Sequence, residues 1–135
     1  MDFRKGFLCY GFNFEELLIL KTEIMGQAKF EIEKSSNDKF YFNLKAGNGE
    51  VILTSQMYGG KQSCENGISS VKENAPEDEN YEKEESSNDK YYFNLKASNS
   101  QIIGTSQMYN SKQARETGIE SVKTNAPAAV IIDLT

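Results

Sequence analysis

Residues 35–76 recur without a gap at 86–127. Setting each position n against n+51 gives 29 identities in the 42 pairs, and both copies open on Ser-Ser-Asn-Asp-Lys. Nothing else in the chain limits its fold as strongly. Each copy is roughly fifty residues, a size at which an isolated core buries too little of its own surface to be secure. The two copies are therefore expected to share one core within a chain of 135 residues.

Within a copy the hydrophobic period starts at two. Phe30 and Ile32 alternate with Glu31 and Glu33, as in a strand with one buried face. Ser36-Asn37-Asp38 supplies side chains that bond to nearby backbone and so favour a turn. Over Lys39–Ala46 the residues Phe40, Phe42, Leu44 and Ala46 fall on one face, with Tyr41, Asn43 and Lys45 on the other. Gly47-Asn48-Gly49 suits a tight hairpin needing positive φ, and Glu50–Ser55 returns as a third strand.

After Tyr58 the period becomes helical. Asn110-Ser111-Lys112-Gln113 reads as a helix start, with a polar cap and a Gln following it. Ala114, Gly118, Ile119 and Val122 are expected on the buried face, matched by Ser63, Gly67, Ile68 and Val71 in the first copy. Glycine inside a helix costs about 1 kcal/mol relative to alanine, so Gly67 and Gly118 imply close approach of helix to sheet. Both helices should stop at Asn-Ala-Pro, residues 74–76 and 125–127.

The first helix leads through Glu77-Asp78-Glu79-Asn80 into the second copy. The second is followed by Ala128–Thr135, whose Val130-Ile131-Ile132-Asp133-Leu134 is strand-like and has no third copy to enter. Such a strand needs another sheet edge. Its economical place is against the first copy, closing the halves about a pseudo-twofold axis. The chain then divides into an extension at 1–27, a first repeat at 28–76, and a second at 77–135 that includes the closing strand. Within the extension, Glu15–Glu23 suits a short amphipathic helix, and Met25 offers an alternative start.

The motif Tyr-Phe-Asn-Leu-Lys-Ala, a small-Asn-small turn, an Ile, Thr-Ser-Gln-Met-Tyr, Lys-Gln, Gly-Ile, Ser-Val-Lys and Asn-Ala runs through 41–75 and again through 92–126. It resembles the YegP-like family of small bacterial and archaeal proteins. The resemblance implies a β-β-β-α-β unit used twice, merged into one antiparallel-rich α+β sheet by exchange of terminal strands, with two helices on one face. It implies no activity and transfers no functional residue.

Chemistry is constrained by what the chain lacks. There is no histidine, which removes the commonest general base and metal ligand. Ser55 and Ser106, with Lys61 and Lys112 six residues later, leave a serine–lysine arrangement formally open. Cys9 and Cys64 lack the paired spacing of a zinc site, and reduced thiols fit a cytoplasmic protein. The short Asn-Asp loops lack the carboxylates and glycine bend of a calcium site. Neither metal nor cofactor is expected. The net charge is −5 with no basic cluster, which argues against nucleic acid. No apolar run approaches the length of a membrane span.

One surface stands out. Tyr41, Asn43 and Lys45 reappear as Tyr92, Asn94 and Lys96, while loop positions such as Gly47, Glu50 and Glu73 have changed to Ser98, Gln101 and Thr124. With helices on one side only, this stripe would lie on an open face suited to a protein or small ligand. Cross-strand pairing alone would also favour it. Ser-Gln-Met-Tyr, at 55–58 and 106–109, is expected to plug the end of the core, with a shallow groove between the halves nearby. The expected role is a non-enzymatic cytoplasmic binding or accessory module, monomeric with internal pseudo-symmetry. Alternatives are a structural or stress-related role through self-association, or an enzyme with an unrecognised site.

Overall fold

Strand alternation in the first copy places Phe30, Ile32, Phe42 and Leu44 on one side of a sheet, and all four are fully buried. The computed structural model describes residues 27–135; the helix expected at Glu15–Glu23 lies outside them. The strands are β1 (Lys29–Lys34), β2 (Phe40–Lys45), β3 (Val51–Thr54), β4 (Tyr81–Glu85), β5 (Tyr91–Lys96), β6 (Ile102–Thr105) and β7 (Val130–Asp133). Helix α1 spans Lys61–Asn74 and α2 spans Lys112–Asn125. All seven strands form one sheet in the order β4-β5-β6-β3-β2-β1-β7.

The halves meet at β3 and β6, which run antiparallel and pair Thr54 with Thr105. These are equivalent positions of the two copies, so the pseudo-twofold axis passes between them. Beyond that point β7 lies parallel to β1, with Lys29 opposite Val130 and Ile32 opposite Asp133. The amide of Val130 donates to Ala28 O at 3.1 Å and that of Leu134 to Ile32 O at 3.0 Å. The closing strand thus crosses back to the first copy as the unpaired apolar tail required. The strand that follows α1 is β4 itself, which pairs with β5. It both closes the first unit and opens the second, so the sheet has seven strands rather than eight.

Both helices pack on the Phe42/Phe93 side of the sheet, each crossing onto strands of the opposite half. Aromatic contacts repeat across the axis. Phe30 meets Phe42 edge-on at 5.6 Å and Tyr81 meets Phe93 at 5.6 Å; Phe42 stacks on Tyr58 and Phe93 on Tyr109, each at 6.4 Å. In β3 two successive residues, Ile52 and Leu53, are buried. A register shift between Leu44 and Lys45 leaves Ile52 as an extra residue and turns it inward. The second copy has the same shift between Leu95 and Lys96.

The helix faces need one correction. Buried positions are Cys64, Gly67, Ile68 and Val71 in α1, and Arg115, Gly118, Ile119 and Val122 in α2. Ser63 is exposed and Ala114 only half-buried. The i, i+3, i+4, i+7 stripe that contains the glycine and isoleucine begins one residue later than expected. The cap is as read in α2, where Ser111 Oγ accepts from Ala114 N at 3.0 Å; α1 starts at Gly60 with no side-chain cap.

Candidate binding surface on the open sheet face

The face opposite the helices carries a polar row across six strands. Register places Glu31 beside Asn43, Asn43 beside Thr54, Thr54 beside Thr105, Thr105 beside Asn94, and Asn94 beside Glu82. Thr54 Oγ1 donates to Asn43 Oδ1 and Thr105 Oγ1 to Asn94 Oδ1, each at 2.8 Å. The outer ends differ: Asn43 Nδ2 donates to Glu33 and Asn94 Nδ2 to Glu82, both at 3.3 Å. Lys45 pairs with Glu31 at 2.8 Å and Lys96 with Glu82 at 2.8 Å.

These pairings set the electrostatics. The hydrogen bonds from Lys96 and then Asn94 hold the Glu82 carboxyl below its ordinary range. Bonding to Glu31 raises Lys45 in turn. Desolvation, followed by the Glu33 carboxylate, raises the Tyr41 phenol. All three groups keep their ordinary neutral-pH charge: carboxylate, ammonium and neutral phenol.

Tyr41, Asn43, Lys45, Tyr92, Asn94 and Lys96 therefore share one face, as the alternation requires. They form two stripes on β2 and β5, three strand steps apart, or roughly 14 Å. Asn43, Asn94, Lys45 and Lys96 spend their polar groups on neighbouring strands, and Asn94 is only 8 % exposed. Tyr41 and Tyr92 stay half-exposed.

Between the stripes lies a groove of about 410 Å³ astride the pseudo-twofold axis. Val51, Thr54 and Gln56 line one side, and their equivalents Ile102, Thr105 and Gln107 the other. It lies where β3 and β6 meet, two strands that pair only through their last residues, Thr54 and Thr105. Thr54 and Gln56 are unchanged in the second copy; that retention was the available signal for residues the stripe reading passed over. A second hollow of about 420 Å³ lies on the helix side, between the Ala46–Glu50 turn and Gly118 of α2.

The Ser-Gln-Met-Tyr segments divide their roles. Tyr58 forms a bridge with Phe40 and packs against the core, whereas Met57, one residue earlier, points outward and is 53 % exposed. Met108 is likewise 53 % exposed, so the methionines do not plug the core. Ser55 Oγ accepts from Phe42 N at 2.9 Å and donates to Gln56 O at 2.8 Å. Ser106 repeats this with Phe93 N and Gln107 O, while Lys61 pairs with Asp133 at 2.9 Å. The hydroxyls are thus committed to the backbone. Burial pushes the Cys64 thiol up to about 11, which keeps it protonated and inert at neutral pH; Cys9 lies outside the described residues.

Among the described residues, no group of three or more Cys, Asp or Glu is placed to hold a metal ion. No helix among them is long and apolar enough to cross a membrane.

Comparison with known proteins agrees with the duplicated architecture. The family profile "Domain of unknown function (DUF1508)" matches twice, at residues 35–82 and 86–133. UPF0339 protein YegP of Escherichia coli (strain K12) is 58 % identical over 106 residues, covering 78 % of this chain and 96 % of that protein. A UPF0339 protein of Shewanella oneidensis is 60 % identical over the same shares. The solution NMR structure of E. coli yegP, described as a protein of unknown function, matches with a TM-score of 0.77 at 57 % identity. It covers 81 % of this chain and 94 % of that one. The solution NMR structure of the Shewanella protein SO3888 also gives 0.77, at 59 % identity and 81 % and 92 % coverage. With two profile matches across most of its length and a sheet duplicated about Thr54 and Thr105, the chain belongs to the YegP-like DUF1508 family.

Proposed function

We propose that this chain is a non-enzymatic cytoplasmic binding or accessory module that engages a protein partner or small ligand through its open sheet face. The observation carrying this reading is the groove at the axis, lined by Val51, Thr54 and Gln56 and by their counterparts Ile102, Thr105 and Gln107. Aliphatic walls over a floor of hydroxyls, with Gln amides at the rim, offer apolar area and oriented hydrogen bonds together. Tyr41 and Tyr92 flank it, and tyrosine supplies contact area at low entropic cost. The polar row beneath holds its side chains in place, so little ordering is left for a partner to impose.

The test is affinity capture from the source cell with wild type and with Tyr41→Ala/Tyr92→Ala, followed by NMR mapping of the purified partner. The reading expects amide shifts at 51–56 and 102–107, and capture lost in the folded double variant. Equal capture by both, or shifts confined to the helix side, would remove it. A mass that rises with concentration in light scattering, and is unchanged by the double variant, would favour self-association.

A further inference from the structure

The two ends of the sheet are not equivalent. At one end β7 covers the edge of β1; at the other, among the described residues, the outer edge of β4 has no strand beside it. The molecule therefore contains a worked example of strand addition at one edge and the matching edge uncovered. On β1 the backbone of alternate residues, Ala28 and Ile32 among them, faces β7 and bonds to it. The equivalent of Ala28 is Glu79, in the 3-10 turn Asp78–Asn80 that leads into β4, and that of Ile32 is Lys83 on β4 itself, whose backbone faces outward by the same alternation.

The surroundings of β7 show what such a strand needs. Its Asp133 lies beside Ile32, pairs with Lys61 at 2.9 Å, and its charge reaches the buried Cys64. The positions equivalent to Ile32, Lys61 and Cys64 are Lys83, Lys112 and Arg115. Two neutral residues have become cations at the uncovered edge. The Arg115 side chain is only 9 % exposed and lies over the Tyr91 ring at 5.4 Å. One guanidinium nitrogen donates to Glu84 O at 3.0 Å, but Nε is buried with no hydrogen-bond partner. Glu116 meets Lys83 at 2.9 Å and stays 3.9 Å from Arg115 Nε, beyond hydrogen-bond reach. A buried, unsatisfied guanidinium donor costs stability, and an incoming carboxylate would relieve it.

We propose that the outer edge of β4 is a strand-addition site for an extended segment of a partner protein, docked parallel to β4 with a carboxylate at Lys112 and Arg115. Main-chain bonds to Lys83 supply the ladder, and the acid sets register and specificity. The segment has the chemistry of β7: small residues, then three successive apolar residues, then Asp or Glu. The site is separate from the open-face groove, so either can fail without the other.

The probe is the acetylated octapeptide of sequence 128–135, titrated into the full ¹⁵N-labelled chain alongside its Asp133→Asn form. Amide shifts at 79–85 and in the first turns of α2 are expected at roughly millimolar peptide. The Asn form should bind about tenfold more weakly, and so should Lys112→Ser protein. Lys112 is exposed, so that variant keeps the fold even if Arg115→Met does not. No shift at 79–85, equal binding of the two peptides, or shifts at 130–135 or 51–56 instead would overturn the proposal.

Discussion

Leu53 and Gly104 hold the same position in the two copies, and at the axis the side chain of one fills the space left by the other. A Cβ built on Gly104 would lie 2.7 Å from both Cγ and Cδ2 of Leu53. Two leucines cannot meet there, so the pseudo-symmetry is broken to fill the core without a clash. Gly104→Ala should cost about 1–3 kcal/mol by overpacking, and Leu53→Ala about 2–5 kcal/mol by leaving a cavity. The double variant should cost clearly less than the sum. Denaturant melts of the four proteins decide it, and strict additivity would refute the shared space.

Gly67 and Gly118 face the rings of Tyr58 and Tyr109. An added Cβ would sit 2.8 Å from Tyr58 Cζ in α1 and 2.6 Å from Tyr109 Cζ in α2. Alanine gains about 1 kcal/mol of helix propensity over glycine. It must also displace a ring stacked on Phe42 or Phe93, so Gly67→Ala should still lower stability by about 1–2 kcal/mol. Pairing it with Tyr58→Leu should recover part of the loss. A thermal melt showing Gly67→Ala more stable than wild type would contradict this account.

Much of this was legible in the sequence, and the glycines show why. Gly67 and Gly118 departed from helix propensity in both copies, so close packing was the natural reading, although only geometry names the tyrosines. The apolar Val130–Leu134 likewise demanded a sheet edge. The extra residue at Ile52 was not readable, because a bulge conserves composition while breaking alternation. Nor was the burial of Arg115, since a cation at the position of Cys64 looks like surface drift until its place over the Tyr91 ring and its bond to Glu84 O are seen. Among the six stripe residues, side and spacing followed from period two. Their internal hydrogen bonds did not, because those depend on which strand lies alongside.

Asp133 couples the closing strand to pH. The Thr135 hydroxyl, then Lys61 and the Thr135 amide, lower its carboxyl from 3.8 to about 2. A group whose folded pKa is depressed stabilises the fold above its unfolded value, and that contribution fades as pH falls toward the folded one. Attachment of β7 should therefore weaken between pH 4 and 2, seen as shift changes and loss of order at 130–134 in NMR spectra. Asp133→Asn should be weaker at neutral pH and flat across this window. A β7 transition of unchanged size in that variant would assign the effect to other carboxylates.

The grip of β7 is in its backbone. Val130, Ile131, Ile132 and Leu134 are all exposed, at 43 %, 47 %, 38 % and 56 %, so their side chains add little. The amides of Val130 and Leu134 bond to β1, whereas alternation turns that of Ile131 to the free edge. Proline scanning should follow this parity. Val130→Pro removes a ladder bond and should cost about 1–3 kcal/mol. Ile131→Pro places the missing donor at an edge, where proline is tolerated, and should cost less than about 1 kcal/mol. Deletion of Ala129–Thr135 should exceed both, because it also uncovers Phe30 and Ile32, buried completely in the intact sheet. Equal losses for the two prolines in urea melts would mean that β7 is held by its side chains instead.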